Sequence, residues 1–268
     1  MTEPSESPIL VLGSGQRTGS TLVQRLLTSH PEILIWGEHG GHLRDLIAMT
    51  DVLRRWDEGL AEPAREAFEE GSHQSWMANV LPGPEAVREA ARAWLLTFFG
   101  APAAERGRPR WGFKEVRFGL AEAEALRDLF PALTAIHITR DPRDVLVSLD
   151  SWERGRDWWT REFTQIAVND WVKVNESFLP ARGGQEDWVL SVRYEDVVAT
   201  PEPFTEAVAV LVGSDVEAFD RSVFQTKIRG YSDDRSERRE WSDLPRDLRA
   251  LLKDAGVRAM ADAYGYDL

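Results

Sequence analysis

Ile9-Leu10-Val11-Leu12, followed by Gly13-Ser14-Gly15-Gln16-Arg17-Thr18-Gly19-Ser20-Thr21 and an amphipathic stretch to Ser29, decides how this chain is read. Four consecutive apolar residues, two of them β-branched, suit a strand buried on both faces, as in a parallel sheet. From Thr21 to Ser29 the residues Leu22, Val23, Leu26 and Leu27 share one helical face, and His30-Pro31 stops the helix. A strand, a glycine-rich turn and a helix in succession make an anion site, because the backbone N–H groups of the turn and the helix N-terminus point the same way. The triphosphatase pattern G-x-x-x-x-G-K-[ST] is absent, since Gly19 is followed by Ser20 and no lysine. The dinucleotide pattern G-x-G-x-x-G also fails, because after Gly13 and Gly15 the third glycine falls one position late. The glycines alone fit an ordinary turn. Arg17 inside the turn points to an anion, since a fixed guanidinium beside backbone donors is costly without one.

Beyond this segment, Ile33–Trp36, Trp111–Lys114, Thr134–Thr139 and Trp188–Val192 read as further strands, separated by helical patterns. Such alternation predicts an α/β fold with a central parallel sheet flanked by helices. Between Gly41 and Arg110 the rhythm changes to helical stretches, Leu43–Trp56 and Glu85–Phe99, broken by Gly71, Pro82, Gly83 and Pro84. This part is expected to be a helical insertion on the acceptor side of one domain spanning residues 1–268, because a chain of 268 residues is one large domain or one domain with an insertion. Ala101–Arg110 reads as a short low-complexity linker.

Composition narrows the function. No cysteine is present, which excludes disulfides, thiolate metal sites and a cysteine nucleophile. No run approaches 18 apolar residues, and the opening MTEPSESP is polar and acidic, so neither a membrane span nor a signal peptide is expected and a cytoplasmic location follows. With 32 basic against 45 acidic residues the formal charge is −13, which argues against nucleic acid and anionic membranes as partners. Eleven tryptophans are scattered along the chain, and most are expected in the core or in pocket walls.

Gln16-Arg17-Thr18-Gly19-Ser20-Thr21-Leu22, then His30-Pro31, then Gly37-Glu38, resembles the opening of the sulfotransferases that use 3′-phosphoadenosine 5′-phosphosulfate (PAPS). The resemblance implies a P-loop nucleotide-binding type of fold in which this loop holds the 5′-phosphosulfate. Ile138-Thr139-Arg140-Asp141-Pro142-Arg143-Asp144-Val145-Leu146-Val147-Ser148 is similar to the family's 3′-phosphate signature, which makes Arg140 and Ser148, eight residues on, the implied ligands. Val192-Arg193-Tyr194-Glu195-Asp196-Val197, with Pro201 and a helix after it, looks like the segment whose tyrosine lies beside the adenine, here Tyr194. Lys227-Ile228-Arg229-Gly230 resembles the basic-glycine segment that closes over the 3′-phosphate in some relatives, which adds Arg229. The likeness covers residues 8–40, 110–155 and 188–213.

Sulfuryl transfer to a hydroxyl leaves adenosine 3′,5′-bisphosphate, whose phosphate oxygen gains charge as the bond to sulfur breaks. By analogy with phosphoryl transfer, the protein supplies position and charge. The expected cations are Arg17 and Lys114, the latter at the end of a strand, where parallel sheets present ligand-facing groups. The resemblance implies Glu38 as the base, since several branches of the family carry a glutamate at this place and others use a histidine; it lies 21 residues after Arg17, with Trp36 available to desolvate it and with His39 and His42 as rivals. Arg117 is expected to pair with Glu115 or to join the cations, and Arg143 to sit at a helix end. No metal is implied, because the five histidines form no ligand pattern. The acceptor is expected to be a small molecule or natural product with a hydroxyl. A P-loop kinase or nucleotidase, or a silent nucleotide-binding protein, could share the scaffold. The missing lysine after Gly19 and the Arg140/Ser148 pair weigh against the first, and the set Arg17, Glu38 and Lys114 against the second.

Overall fold

In the computed structural model, which describes residues 3–153, 160–182, 186–226, 241–243 and 245–268, five strands form one sheet. They are β1 (Ile9–Gly13), β2 (Ile33–Trp36), β3 (Arg110–Glu115), β4 (Thr134–Thr139) and β5 (Val189–Arg193), in the order β2-β3-β1-β4-β5. Every pairing is parallel, with β1 between β3 (Val11 opposite Lys114) and β4 (Leu12 opposite His137). Apolar side chains on both faces of β1 explain its central place: Ile9 to Leu12 are no more than 1% exposed.

The pleat sends alternate residues to two cores. Ile9 and Val11 join Ile33, Ile35, Ile136 and Ile138 on one face, under α1 (Ser20–Ser29), which buries Val23, Leu26 and Leu27. Leu10 and Leu12 join Trp111, Phe113, Ala135 and Val189 on the other.

Between β2 and β3 come α2 (Leu43–Trp56), α3 (Glu62–Gly71), α4 (Pro84–Leu95) and α5 (Ala101–Ala104). The expected linker therefore begins as helix. Its Ala103 is fully buried in the second core, which is enough to order an alanine-rich turn. This segment reaches the sheet through Ala91, Leu95 and Phe99, spaced at i, i+4 and i+8. Residues off that stripe point outward. Trp56, Trp76 and Trp94 are 46%, 73% and 43% exposed, whereas Trp111, Trp171 and Trp188 are buried and Trp36 and Trp241 pack against the cores, so most of the described tryptophans do sit in the core or its walls.

After β3, α6 (Leu120–Leu129) leads to β4, and α7 (Pro142–Glu153), α8 (Arg161–Ser177) and α9 (Leu179–Arg182) lead to β5. The remaining helices are α10 (Tyr194–Ala199), α11 (Pro201–Val212), α12 (Arg246–Leu251) and α13 (Ala255–Ala263). A third core joins α7 and α8 to α12 and α13 through Leu146, Leu149, Trp171, Leu251 and Tyr264. The chain leaves β1 toward β2 and leaves β4 toward β5, in opposite directions. The crevice at the carboxyl ends of β1 and β4 is thus the switch point where ligands of open α/β sheets bind. No helix among the described residues is long and apolar enough to cross a membrane.

His137, in the middle of β4, is completely buried, and desolvation pushes its pKa down to about 3. The unfolded imidazole titrates near ~6.5, so the unfolded chain binds more protons between the two values. Stability from this residue is complete above about pH 6.5 and declines as pH falls toward 3. At pH 5 the loss is about 2 kcal/mol, from ~1.5 pH units at ~1.4 kcal/mol each. Denaturant unfolding at pH 8 and pH 5 is expected to show wild type losing about that much more than His137→Gln. Equal losses in the two proteins would mean that His137 is not the acid-sensitive group.

Candidate active site

The turn after β1 is held from below and open above. Ser14 donates its backbone N–H to Ile138 O (3.1 Å) and Gly15 to Val116 O (3.1 Å), so the loop rests on the ends of β4 and β3. Thr18 is fully buried and its hydroxyl donates to Gly15 O (3.1 Å), closing the turn on itself. Among the described residues, the amides of Gln16, Thr18 and Gly19 donate to no other group of the chain. Gly15, Arg17 and Gly19 have φ of 82°, 65° and 100°. For Arg17 the left-handed region costs about 1–2 kcal/mol, a strain the rest of the loop must hold. Gly19 cannot carry a side chain, because a Cβ there would run into a ring carbon of Tyr194. Leu22 packs into the core under α1, and Thr21 is exposed on that helix.

Residues expected from separate segments meet beside this loop. Arg17 Nε donates to Ser148 Oγ of α7 (3.0 Å). Arg140, just past β4, reaches Arg17 O (3.4 Å) and Asp144 Oδ2 (3.2 Å) and lies over the Tyr194 ring, 4.5 Å from its centroid. Its Nε is buried with no partner among the described residues. Tyr194, the first residue of α10, thus fills the space between Gly19 and Arg140. Arg143 turns back to grip Asp141. Asp141 N donates to Glu195 Oε1 (2.9 Å), which ties the start of α7 to α10.

A second cluster stands at the ends of β2 and β3. Lys114, 6% exposed, pairs with Glu38 Oε1, and Arg117 reaches Glu38 Oε2 (3.2 Å) and Glu115 Oε1 (3.0 Å). The Glu38 side chain remains one-third exposed, so its carboxylate faces both the two cations and the solvent side. Glu115 is completely buried and accepts from Gly41 N (2.8 Å) and Val116 N (2.9 Å). Burial would raise its carboxyl pKa, but those two N–H groups, His39 and Arg117 together hold it below the ordinary value. Arg117 loses solvation, yet Glu115 and Glu38 push its pKa up and keep it charged.

His39 is packed edge-on against Phe113 and Phe118, and burial lowers its pKa despite Glu115 at 3.3 Å. Neither ring nitrogen makes a well-formed hydrogen bond, so the contact with Glu115 is an approach of a neutral ring and not a strong pair. His42 is 85% exposed and 4.0 Å from Asp45, on the outside of α2.

The structure therefore gathers Arg17, Ser148, Arg140 and Tyr194 at one place and Glu38 and Lys114 at the next, on the same edge of the sheet. Arg229 lies outside the described residues. Sequence reasoning missed Glu115 as the anchor of both the Glu38 loop and Arg117. The apolar neighbours of Lys114-Glu115 in a strand were the available signal, because a buried acid at a strand end must find donors. Asp144 as partner of Arg140 was also missed, although its i+4 spacing was legible.

The sulfotransferase family model matches residues 8–218. Among solved structures, the fold is similar to the sulfotransferase domain from the Synechococcus PCC 7002 olefin synthase, at 20% identity and a TM-score of 0.54, covering 100% of this chain and 97% of that one. It is also similar to the sulfotransferase domain from the curacin biosynthetic pathway (16% identity, TM-score 0.53, covering 99% and 100%). A third likeness is to mouse sulfotransferase SULT7A1 complexed with PAP (13% identity, TM-score 0.51, covering 97% and 90%). No curated protein matches the chain in sequence. At such identities the structural likenesses speak for the fold alone. The family match, which runs through the loop, both charged clusters and the Tyr194 segment, carries the conclusion: the chain belongs to the sulfotransferase family and is a sulfotransferase enzyme.

Proposed function

We propose that this enzyme takes its sulfuryl group from PAPS and passes it to a hydroxyl of a small molecule or natural product, with Glu38 as general base. The observation that carries the reading is the convergence of Arg17, Arg140, Ser148 and Tyr194 on a loop whose Gln16, Thr18 and Gly19 amides donate to no other described group. The residues fit such a donor. The loop amides suit the 5′ end, the unpartnered buried Nε of Arg140 and the Ser148 hydroxyl suit the 3′-phosphate, and the Tyr194 ring offers a face to the base. PAP in the mouse structure of similar fold supports the same assignment.

When bound, PAPS supplies the sulfuryl group and a phosphate that leaves. Arg17 holds that end of the ligand from within the loop, its guanidinium steadied by Ser148. Lys114 would meet the charge that appears on the departing oxygen. It is nearly buried, so its charge is little screened. Glu38 takes the proton of the acceptor hydroxyl as the new oxygen–sulfur bond forms. With that carboxylate neutralised, Lys114 would be free to hold the phosphate oxygen that keeps the electron pair of the breaking bond. Glu115 keeps the loop of Glu38 and the guanidinium of Arg117 in register through this exchange. Residues 41–110 form the acceptor-side wall in this reading, because their first turn is fastened to the site by Gly41 and by Arg44, which donates to Arg117 O.

Arg140→Ala is expected to weaken adenosine 3′,5′-bisphosphate by about 1.5–3 kcal/mol, the range for a hydrogen bond to a charged group. Adenosine 5′-phosphate, lacking the 3′ group, should change little. Calorimetry with both nucleotides checks this, and equal losses would remove Arg140 from the 3′-phosphate.

Glu38→Gln is expected to lower single-turnover sulfate transfer by about 10²–10⁴-fold. Adenosine 3′,5′-bisphosphate should bind as well or more tightly, since Lys114 and Arg117 lose their anionic partner. Near-normal transfer would move the base role to His39 or His42. Lost nucleotide affinity would instead make Glu38 a holder of Lys114.

Trp94 lines a cavity of about 460 Å³ between α2 and α4, with Leu46, Met49, Leu53 and Val87. Trp94→Ala is expected to raise the KM of the acceptor while leaving that of PAPS unchanged. A shift in melting temperature with both constants intact would show that the ring only covers core.

A further inference from the structure

One buried titratable group has no part in the proposed chemistry and meets the donor site only from beneath, through Ser14. His137 lies on the strand beside β1, fully enclosed, with its ring stacked on Phe178 at 4.1 Å between centroids and 11° between planes. Both of its nitrogens have partners. Nε2 is 2.7 Å from Ser14 Oγ, and Nδ1 is 2.9 Å from Ser191 Oγ of β5. Ser14 Oγ also donates to Asn175 Oδ1 of α8 (2.7 Å), and the Tyr264 hydroxyl at the end of α13 donates to Asn175 O (2.9 Å). Ser14, His137 and Asn175 are all 0% exposed.

With Asn175 Oδ1 turned to Ser14 Oγ, as it stands in the structure, the hydrogens along these contacts follow in turn. Asn175 Oδ1 can only accept, so the single hydroxyl proton of Ser14 points to it. Ser14 Oγ must then accept from His137, which makes the ring the Nε2–H tautomer. Nδ1 is left to accept from the Ser191 hydroxyl. Burial pushes the ring's pKa down to about 3, so it is neutral at neutral pH. Around the ring stand Phe178, Tyr264, Ser14 and Ser191, with no ionised group among them, and desolvation is accordingly the one cause of its lowered pKa.

Ser14 is the first residue of the anion-binding turn. Its backbone is fixed by Ile138 O and its side chain by two buried partners from β4 and α8. Immediately after it the chain takes up the left-handed conformations of Gly15, Arg17 and Gly19. A turn with amides left unbonded and an arginine under backbone strain needs an anchor where it begins, because the Thr18–Gly15 bond closes the turn on itself without fixing how it sits on the sheet.

We infer that His137 is a positioning residue for this reaction: with Ser191 behind it and Asn175 beside it, it locks the Ser14 hydroxyl and so pre-sets the phosphate-binding turn before any ligand arrives. A set geometry spares the ligand the cost of ordering the loop. The inference rests on the donor reading only for the nucleotide used as a probe.

Three variants separate this role from simple core filling. His137→Gln can return an N–H donor to Ser14 at the Nε2 position, His137→Leu fills the space without a donor, and Ser14→Ala removes the hydroxyl while keeping its Cβ. Two readouts are taken: amide hydrogen exchange at Ser14 and Gly15 in the ligand-free protein, and titration with adenosine 3′,5′-bisphosphate. His137→Leu and Ser14→Ala are expected to speed exchange at those amides, with Val11 and Leu12 unchanged. They are also expected to weaken the nucleotide by about two- to tenfold, the range for one lost neutral hydrogen bond. His137→Gln should stay within about twofold of wild type in both, well short of that loss. If His137→Gln and His137→Leu behave alike, or if Ser14→Ala leaves exchange and affinity untouched, the inference fails. Should wild type not bind the nucleotide at all, the donor reading falls while the exchange data still judge the anchor. Should His137→Leu fail to fold, Ser14→Ala alone decides.

Discussion

Burial of β1 on both faces is the constraint from which the site follows. A strand with Ile9, Leu10, Val11 and Leu12 all sealed from water can only sit in the middle of the sheet, with its ladder satisfied on both sides by β3 and β4. Its carboxyl end therefore emerges in the crevice between them. The loop that leaves it has Val116 O on one side and Ile138 O on the other to rest upon. Lys114 and Arg140 come to that crevice because they end the strands that flank β1. The anion site is in this sense a consequence of strand order.

The charge arrangement has a similar economy. The chain carries a formal −13, yet the crevice concentrates Arg17, Lys114, Arg117 and Arg140. Like charges so close would repel, and the two clusters carry their own neutralisers: Glu38 and Glu115 at one, Asp144 and the Tyr194 ring at the other. These neutralisers differ in kind. Glu115 is sealed and multiply bonded, so it acts as scaffold, whereas Glu38 stands partly in solvent. The difference in burial, not in chemistry, separates the two carboxylates.

The second half of the molecule contributes stiffness. α13 reaches back through Tyr264 to Asn175 and so to Ser14, while Tyr266 donates to Glu195, which in turn holds Asp141 at the start of α7. The two loops after β1 and after β4 are thus braced from the C-terminal helix and the residues that follow it. Buried hydrogen bonds of this sort are costly to leave unmade, so they specify one arrangement more sharply than apolar contacts do.

Much of this is legible in the amino-acid sequence. Ile33–Trp36 and Thr134–Thr139 have the same boundaries in the sequence pattern and in the structure, because short runs of β-branched residues between turn residues admit little else. The loop is legible from its glycines and from Arg17, whose chemistry asks for an anion. The pairing of Arg140 with Ser148 comes from a family likeness, not from periodicity. What no linear reading supplies is contact between residues far apart in the chain. That Arg17 bonds Ser148, that Glu38 is shared by Lys114 and Arg117, and that His137 supports Ser14 depends on strand order. Strand order is settled by how two apolar faces are buried together. The outward turn of Trp56 and Trp94 has the same origin: a hydrophobic side chain announces a preference for burial, but only the packed sheet decides which helical stripe obtains it.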